Sequence, residues 1–171
     1  MGRFVAGVSK VPYHIRPMKP ADNAAIAQVI RDVSAEYGLS ADKGYGVSDP
    51  HLDNLFDYYR ELGGRYWVVE LDGHIQGGGG MAPLSGASDT VCELQKMYFL
   101  PSLRGQGAGK ALAELAMAEA RQSGFKLCYL ETTAALGEAL GLYQALGFKQ
   151  LTHPMGETGH GDCEICMAKT L

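Results

Sequence analysis

A glycine-rich segment in the middle of the chain has the spacing of an anion-binding turn. It reads Arg-Gly-Gln-Gly-Ala-Gly-Lys from Arg104 to Lys110, with glycines at the alternate positions 105, 107 and 109. Glycine accepts backbone conformations that other residues avoid, so successive N–H groups of such a turn can point at one ligand. The pattern after Gly109 predicts a helix, whose first turn offers free N–H donors and a positive dipole end. The segment therefore predicts a phosphate-binding site.

Two common phosphate-binding signatures do not fit this turn. A P-loop ending in Gly109-Lys110 would need a glycine in place of Arg104 and a Ser or Thr in place of Ala111. The dinucleotide pattern G-x-G-x-x-G fails at Lys110. A nucleotide-binding protein is therefore disfavoured, and the spacing that remains is Arg104-x-x-Gly107-x-Gly109. The plain alternative is a turn that only joins a strand to a helix.

This spacing resembles the pyrophosphate-binding motif of the GNAT superfamily of N-acetyltransferases, which is Gln or Arg, two residues, Gly, one residue, and Gly or Ala. A second segment, Leu142-Tyr-Gln-Ala-Leu-Gly-Phe148, is similar to the LY-x-x-x-GF hallmark of that superfamily. The resemblance covers residues 13–171 and implies acetyl-CoA as co-substrate. It implies that acetyl-CoA contacts the central strand and the turn through Met97, Tyr98, Phe99, Arg104, Gly105, Gln106, Gly107, Ala108, Gly109 and Lys110.

The resemblance also implies two catalytic residues. Tyr143, in the second motif, would lie beside the sulfur of coenzyme A and act as general acid. Glu93 precedes Met97, where the central strand of the superfamily bulges, and would accept the proton of the attacking amine directly or through water. Considered alone, Tyr143 also fits a core aromatic residue of a helix, and Glu93 a solvent-facing strand residue. Leu136 departs from the pattern, because an Asn is common at its position.

The acceptor side has weaker signals. The loop at 38–48 has no periodicity, and with Tyr37 and Tyr45 it provides candidate contacts to the acceptor. The segment from Thr158 to Met167 looks like the final loop and strand of a bacterial subgroup of the superfamily. That resemblance implies that His160 and Asp162 border the acceptor cleft.

Two further groups of residues are candidates for binding a cation or a metal ion. Acidic residues recur every four positions on one side of a predicted helix that opens at Asp49, so this face is either solvated or attractive to a cation. The acidic residues are Asp49, Asp53, Asp57 and Glu61. Cys163-x-x-Cys166, with His153 and His160 nearby, could suggest zinc, but residues three apart face opposite sides of a strand. We therefore expect no metal.

Composition excludes several other classes. The 171 residues, 46% hydrophobic and 20% charged, suit one domain with a sizeable core. No segment approaches the ~18 apolar residues of a membrane span. The first residues lack the apolar core of a signal peptide, so we expect a cytoplasmic protein with reduced cysteines. A net charge of −4 without a basic run argues against nucleic acid as a partner.

Hydrophobic periodicity and turn residues predict the elements that position these groups. The predicted order is a strand, two helices, three strands, a helix, a strand, a helix and two strands. We expect a single-domain α/β protein with the GNAT fold, a mixed and largely antiparallel sheet of about seven strands with four helices. The domain would span 13–171 after an N-terminal extension of residues 1–12. Edge strands at the carboxyl end could pair two copies into a homodimer.

Some boundaries and turns are predicted locally. Asp72-Gly73 favours a tight hairpin turn between strands at 65–71 and 74–81. The run Gly77–Gly80 inside the second of these strands indicates a bulge or the close approach of another backbone. The last two strands are expected at 148–153 and 163–169.

The sequence thus predicts an N-acetyltransferase that moves an acetyl group from acetyl-CoA directly to a primary amine. The alternative is an acyl-CoA-binding sensor or interaction module on the same fold without turnover. Retention of both Glu93 and Tyr143 speaks against that alternative. No pattern identifies the acceptor, since polyamines, amino acids, antibiotics, peptide N-termini and lysine side chains all present an amine.

Overall fold

A computed structural model describes residues 12–171, which form seven strands and four α-helices. The predicted N-terminal extension, 1–12, lies outside the described residues except for its last. The elements are β1 Tyr13–Pro17, α1 Asn23–Glu36, α2 Leu55–Leu62, β2 Arg65–Leu71, β3 His74–Pro83, β4 Val91–Phe99, α3 Ala108–Gln122, β5 Leu127–Thr132, α4 Gly137–Ala145, β6 Lys149–Gln150 and β7 Ile165–Thr170.

All strands of the described chain belong to one sheet in the order β1-β2-β3-β4-β5-β7-β6. Only β4 and β5 run parallel, and the other neighbouring pairs are antiparallel. This confirms the predicted mixed, largely antiparallel sheet. At one edge β6 pairs with only two residues of β7. Pairing of that edge between two copies stays a prediction.

The two faces of the sheet carry separate cores because side chains alternate along each strand. Val68 of β2 packs with α1 and α2, whereas Val69, the next residue, packs with α3 and α4. One face of α1 supplies the first core through Ile26, Val29, Ile30 and Val33, each at most 3% exposed. The helices therefore lie on both faces of the sheet and leave its interior strands inaccessible except where they separate.

The hairpin between β2 and β3 forms as predicted. Asp72 and Gly73 have φ of 51° and 75°, the left-handed conformation that this tight turn requires. The glycines that follow in β3 are required by close packing. A Cβ at Gly79 would lie 2.1 Å from the sulfur of Met97, and one at Gly80 would lie 2.7 Å from the Tyr66 ring.

Several predicted boundaries were wrong. The helix expected from Asp49 begins with a 3-10 turn at Leu52–Asn54, and α2 proper starts at Leu55. The strand expected at 148–153 ends at Gln150, and the last strand starts at Ile165 instead of Cys163. The intervening segment contains Pro154 and glycines, of which Gly156 and Gly159 have positive φ and cannot continue a strand.

Candidate active site

The glycine-rich turn connects β4 to α3 through a 3-10 turn at Pro101–Leu103. Gly105 and Gly107 have φ of 74° and 82°, and Gly107 is the N-cap of α3. A Cβ at Gly107 would meet no atom nearer than the Tyr13 hydroxyl at 4.0 Å, so conformation and not lack of space requires glycine here. The N–H of Ala111 donates to the carbonyl of Gly107 at 3.0 Å. The N–H groups ahead of it, in the first turn of α3, are therefore available to an anion.

A cleft of about 280 Å³, here called the main cleft, opens in front of this turn. Its walls come from the end of β4, the turn, and α4. The lining residues are Val33, Tyr37, Met97, Tyr98, Phe99, Leu103, Arg104, Gly105, Gly107, Ala108, Gly109, Lys110, Leu136, Glu138, Ala139, Leu142 and Tyr143. All predicted cofactor-binding residues line it except Gln106, whose amide donates to the carbonyl of Ser102 at 2.8 Å.

Arg104 reaches the main cleft while its guanidinium is held by other groups. Two of its nitrogens donate to the Glu36 carboxylate at 2.6 and 2.7 Å, and Nε donates to the carbonyl of Phe99 at 3.1 Å. The guanidinium also lies 5.2 Å from the centre of the Tyr37 ring. An anion at the turn must therefore share or displace the Glu36 contact.

A smaller cavity of about 60 Å³, here called the inner pocket, adjoins the main cleft. It exists because β4 and β5 separate: their pairing ends at Glu93 and Tyr129, and β4 slips register against β3 between Gly78 and Gly80. Lys96, at this bulge, has a positive φ of 50°. The pocket is lined by Leu39, Tyr45, Gly46, Glu93, Leu94, Gln95, Lys96, Met97, Tyr98, Glu131, Thr132, Thr133, Leu136, Ala139, Tyr143, His160 and Cys163.

Glu93 lies in the inner pocket with 4% of its surface exposed, so it is not the solvent-facing strand residue of the plain alternative. Its Oε2 accepts a hydrogen bond of 2.7 Å from the Gln95 amide, whose own oxygen accepts from the Tyr59 hydroxyl at 2.8 Å. Burial raises the pKa of Glu93 from its ordinary 4.5 to about 7, and the negative charge of Glu131 acts in the same direction. The carboxylate can therefore gain or lose a proton near neutral pH.

Asp49 joins two cationic side chains at the rim of this pocket. Its carboxylate bonds to the ammonium of Lys96 and, at 2.9 Å, to Nε2 of His160. Burial alone would raise the pKa of Asp49, but His160 and Lys96 outweigh that effect and hold this pKa below its ordinary value. The contact with Asp49 raises the pKa of His160 against the effect of burial. These partners are far apart in sequence, and no spacing signalled their contact.

The four residues predicted to contact the acceptor do not lie in one cavity. Tyr45 and His160 line the inner pocket. Tyr37 lines the main cleft instead, beside Arg104. Asp162 is exposed and accepts a hydrogen bond of 2.6 Å from the N–H of Gly44, so it ties the 38–48 loop to the final loop without lining the pocket.

Tyr143 lines both cavities, as does Leu136. Tyr143 is 6% exposed and stacks edge-on against Phe148, with ring centres 5.9 Å apart. Burial raises the pKa of Tyr143 above its ordinary value of 10, so the hydroxyl keeps its proton at neutral pH. Leu136, in place of the common Asn, gives the place where the two cavities meet an apolar side chain.

The acidic face anticipated on the second helix does not exist as one surface. Asp49 lies before the helix and bonds to Lys96 and His160, while Asp53 pairs with Arg31 at 2.7 Å. Asp57 pairs with Arg60 at 2.8 Å. The pattern therefore gives no evidence for a cation-binding face.

The cysteine pair is also divided. Cys163 precedes β7 and lines the inner pocket, whereas Cys166 lies in β7 and packs in a separate apolar cluster. Among residues 12–171, no three His, Cys, Asp or Glu side chains are grouped to hold a metal ion.

Comparison with known proteins agrees with this geometry. A model of the acetyltransferase (GNAT) family matches residues 29–148. The chain belongs to the GNAT family. It is 57% identical over 157 residues to the uncharacterized N-acetyltransferase YjgM of Escherichia coli K12, which covers 92% of this chain and 94% of that protein. The predicted enzyme class, an N-acetyltransferase, is thereby confirmed.

Solved GNAT structures confirm the predicted fold. An acetyltransferase of the GNAT family from Staphylococcus aureus Mu50 superposes with a TM-score of 0.77 at 17% identity, covering 93% of this chain and 99% of its own. A GNAT family acetyltransferase from Brucella melitensis in complex with acetyl-CoA gives a TM-score of 0.62 at 25% identity, covering 86% and 94%. Within 12–171, none of the GNAT helices combines the length and apolar character needed to span a bilayer.

Proposed function

We propose that the protein transfers the acetyl group of acetyl-CoA directly to a primary amine, with Glu93 as base and Tyr143 as acid. The observation that carries this proposal is the junction of the two cavities. The main cleft ends, and the inner pocket begins, at Met97, Tyr98 and Tyr143. A donor in one and an amine in the other would therefore meet beside a buried acid and a buried carboxylate.

The main cleft fits acetyl-CoA by its own chemistry. The first-turn N–H groups of α3 and the left-handed Gly105 and Gly107 suit a pyrophosphate. Beyond Glu93 the β5-facing side of β4 has no strand partner among the described residues, so backbone groups near Met97 are open to an extended pantetheine arm. Acetyl-CoA would supply a thioester whose carbonyl carbon accepts the amine and whose sulfur departs.

Glu93 fits the role of base because its proton affinity matches the task. An ammonium must lose a proton before its nitrogen can attack, and a base is most effective when its pKa lies near the working pH. With its pKa raised to about 7, the Glu93 carboxylate can take this proton, directly or through one water. Gln95 holds Oε2 in place, and the charges of His160 and Lys96 lower the pKa and keep part of the carboxylate ionised.

Tyr143 fits the role of acid because it keeps its proton until a strong acceptor forms. The raised pKa excludes a tyrosinate at neutral pH, so the hydroxyl has a proton to donate. Packing against Phe148 fixes the ring at the junction of the cavities. The ammonium loses one proton to Glu93 before it attacks, and Tyr143 protonates the sulfur as the C–S bond breaks. The second proton, lost from the nitrogen of the tetrahedral adduct, restores the Tyr143 hydroxyl, and Glu93 later returns its proton to solvent.

A thiol-release assay with acetyl-CoA and a panel of amines tests this proposal. We expect thiol release that depends on the amine, with the acetylated amine identified by mass spectrometry. Binding of acetyl-CoA without thiol release for any amine would favour the non-catalytic sensor on the same fold.

A further inference from the structure

The inner pocket contains a second carboxylate, Glu131, to which neither the motifs nor the proposed mechanism assigns a role. It lies on β5 two positions after Tyr129, the residue paired with Glu93 on β4, so alternation directs both carboxylates to the same side of the sheet. Both line the pocket. The negative charge of Glu131 is also one cause of the raised pKa of Glu93.

Glu131 lacks a partner that would explain its position. Its Oε1 is buried and has no hydrogen-bond partner among residues 12–171. Glu93 accepts a hydrogen bond from Gln95 through Oε2. A buried acceptor without a donor costs about 1–3 kcal/mol, and more when it is charged. A ligand that brings N–H donors and positive charge would remove this cost.

The positively charged side chains that line the inner pocket are already paired with another residue. Of the lining residues only Lys96 and His160 can carry a positive charge, and both bond to Asp49. An acceptor with a carboxylate beside its amine would therefore find two carboxylates and no unpaired cation. The negative charge of the acceptor's carboxylate would be repelled by these two carboxylates, and this repulsion is stronger where water is excluded.

The remaining walls suit an uncharged stem. They are supplied by aliphatic side chains and neutral hydroxyl groups, which include Leu39, Leu136, Thr132 and Thr133. The volume of about 60 Å³ limits what can enter beside the nitrogen. These walls provide contact for methylene groups and no site for an anion.

We infer that Glu131 is a specificity-determining residue, which together with Glu93 receives the ammonium of an aliphatic primary amine that carries no carboxylate beside its nitrogen. This inference rests on the proposed acetyl transfer and narrows its acceptor. Glu93 takes the proton of the bound ammonium, while the Glu131 side chain accepts a hydrogen bond from the nitrogen and holds it in the pocket. An α-amino acid, attacking through its α-amine, is excluded.

A matched set of three acceptors tests the charge argument without any substitution. Butylamine and norvaline differ only by the α-carboxylate, and norvaline methyl ester keeps the added bulk without the charge. At equal concentrations of the ammonium form, we expect kcat/KM for norvaline to be at least about 100-fold below that for butylamine, a difference expected for unpaired charge in a buried site. The ester should fall much closer to butylamine.

The variant Glu131→Gln tests the residue itself. We expect KM for butylamine to rise about 10- to 100-fold, as for loss of a charge-assisted hydrogen bond, with KM for acetyl-CoA unchanged. Discrimination against norvaline should shrink, and Glu131→Asp should restore part of the butylamine affinity. Glu61→Gln, which removes an exposed carboxylate of α2, is the control for net charge and should behave like the wild type.

Three results would overturn the inference. Norvaline used as well as butylamine, equal rejection of norvaline and its ester, or an unchanged butylamine KM in Glu131→Gln would each remove the assigned role. In those cases amine-dependent thiol release persists, so the proposed function stands. If no amine supports thiol release although acetyl-CoA binds, the proposed function fails and the inference fails with it. The acceptor comparison remains decisive if the variant does not fold.

Discussion

Replacing Glu93 by Gln should lower activity and raise stability, because the same buried carboxylate serves catalysis and opposes folding. The substitution keeps the shape of the side chain and an oxygen that can accept the hydrogen bond from Gln95. It removes the charge and the proton-accepting function. The structure therefore predicts two opposite pH-dependent effects from one change.

The magnitude of the stability effect follows from the raised pKa. A rise from 4.5 in the unfolded chain to about 7 in the folded protein, at about 1.4 kcal/mol for each tenfold change in proton affinity, corresponds to about 3 kcal/mol. The folded state binds this proton more tightly, so stability is full below pH 4.5 and falls as the pH rises towards 7. Above pH 7 the wild type carries the whole cost, whereas Glu93→Gln carries none.

Urea denaturation between pH 4 and pH 8 measures this difference. We expect the two proteins to be equally stable near pH 4 and Glu93→Gln to be more stable at pH 8 by up to about 3 kcal/mol. The same control, Glu61→Gln, should follow the wild type throughout. A stability difference that does not grow with pH, or a variant that is less stable at pH 8, would refute the assigned burial and pKa.

Activity should change in the opposite sense. Wild-type kcat/KM should rise with pH around a midpoint near 7, as the Glu93 carboxylate ionises. The kcat/KM of Glu93→Gln should be about 10²- to 10⁴-fold lower than that of the wild type near neutrality. Part of this loss should be recovered as the pH approaches the pKa of the amine, where the amine is already neutral. A defect that is constant across the pH range would count against the role of base.

Three further predictions concern the main cleft and the acid. Gly107→Val should weaken acetyl-CoA binding at least about tenfold by calorimetry, because a φ of 82° strains a β-branched residue. Gly124→Val, at a φ of 90° beyond the other end of α3, should impose similar strain without changing the affinity for acetyl-CoA. Equal affinities of the two variants would remove the cofactor site from this turn. Tyr143→Phe should lower kcat about 10²- to 10⁴-fold with acetyl-CoA affinity nearly unchanged; parental turnover would make Tyr143 a packing residue. Glu36→Gln should tighten acetyl-CoA binding about two- to fivefold at low salt, because Arg104 is released from its ion pair; weaker binding would show that Glu36 instead orients Arg104 for the ligand.

Local signals made much of the fold predictable. The left-handed turn at Asp72 and Gly73 and the order of helices and strands depend on neighbours in sequence, and both form as expected. The helix predicted after the glycine-rich turn is equally local, although it begins at Ala108 and not after Gly109. The bulge at Met97 was expected from the resemblance to the family, and the register slip of β4 against β3 lies there, between Gln95 and Tyr98.

The contents of the inner pocket were not predictable in this way. Asp49 meets Lys96 and His160 across 47 and 111 positions of the chain, and a spacing rule assigned it instead to a helix face. The sequence around Glu131 has no signal of function, because a single carboxylate at a strand end matches no motif. Glu131 lines the same pocket as Glu93 because the pairing of β4 and β5 ends before it. Contacts of this kind depend on the tertiary arrangement and leave no local pattern.

Initial-rate kinetics with acetyl-CoA and the amine both varied distinguish direct transfer between the two cavities, which meet at Tyr143, from transfer through the enzyme. If donor and amine occupy the main cleft and the inner pocket together, double-reciprocal plots at several amine concentrations should intersect. Parallel lines would indicate a ping-pong reaction through an acetylated enzyme. That result would contradict direct transfer, because an acetylated enzyme requires a nucleophile in place of Glu93 as base and Tyr143 as acid.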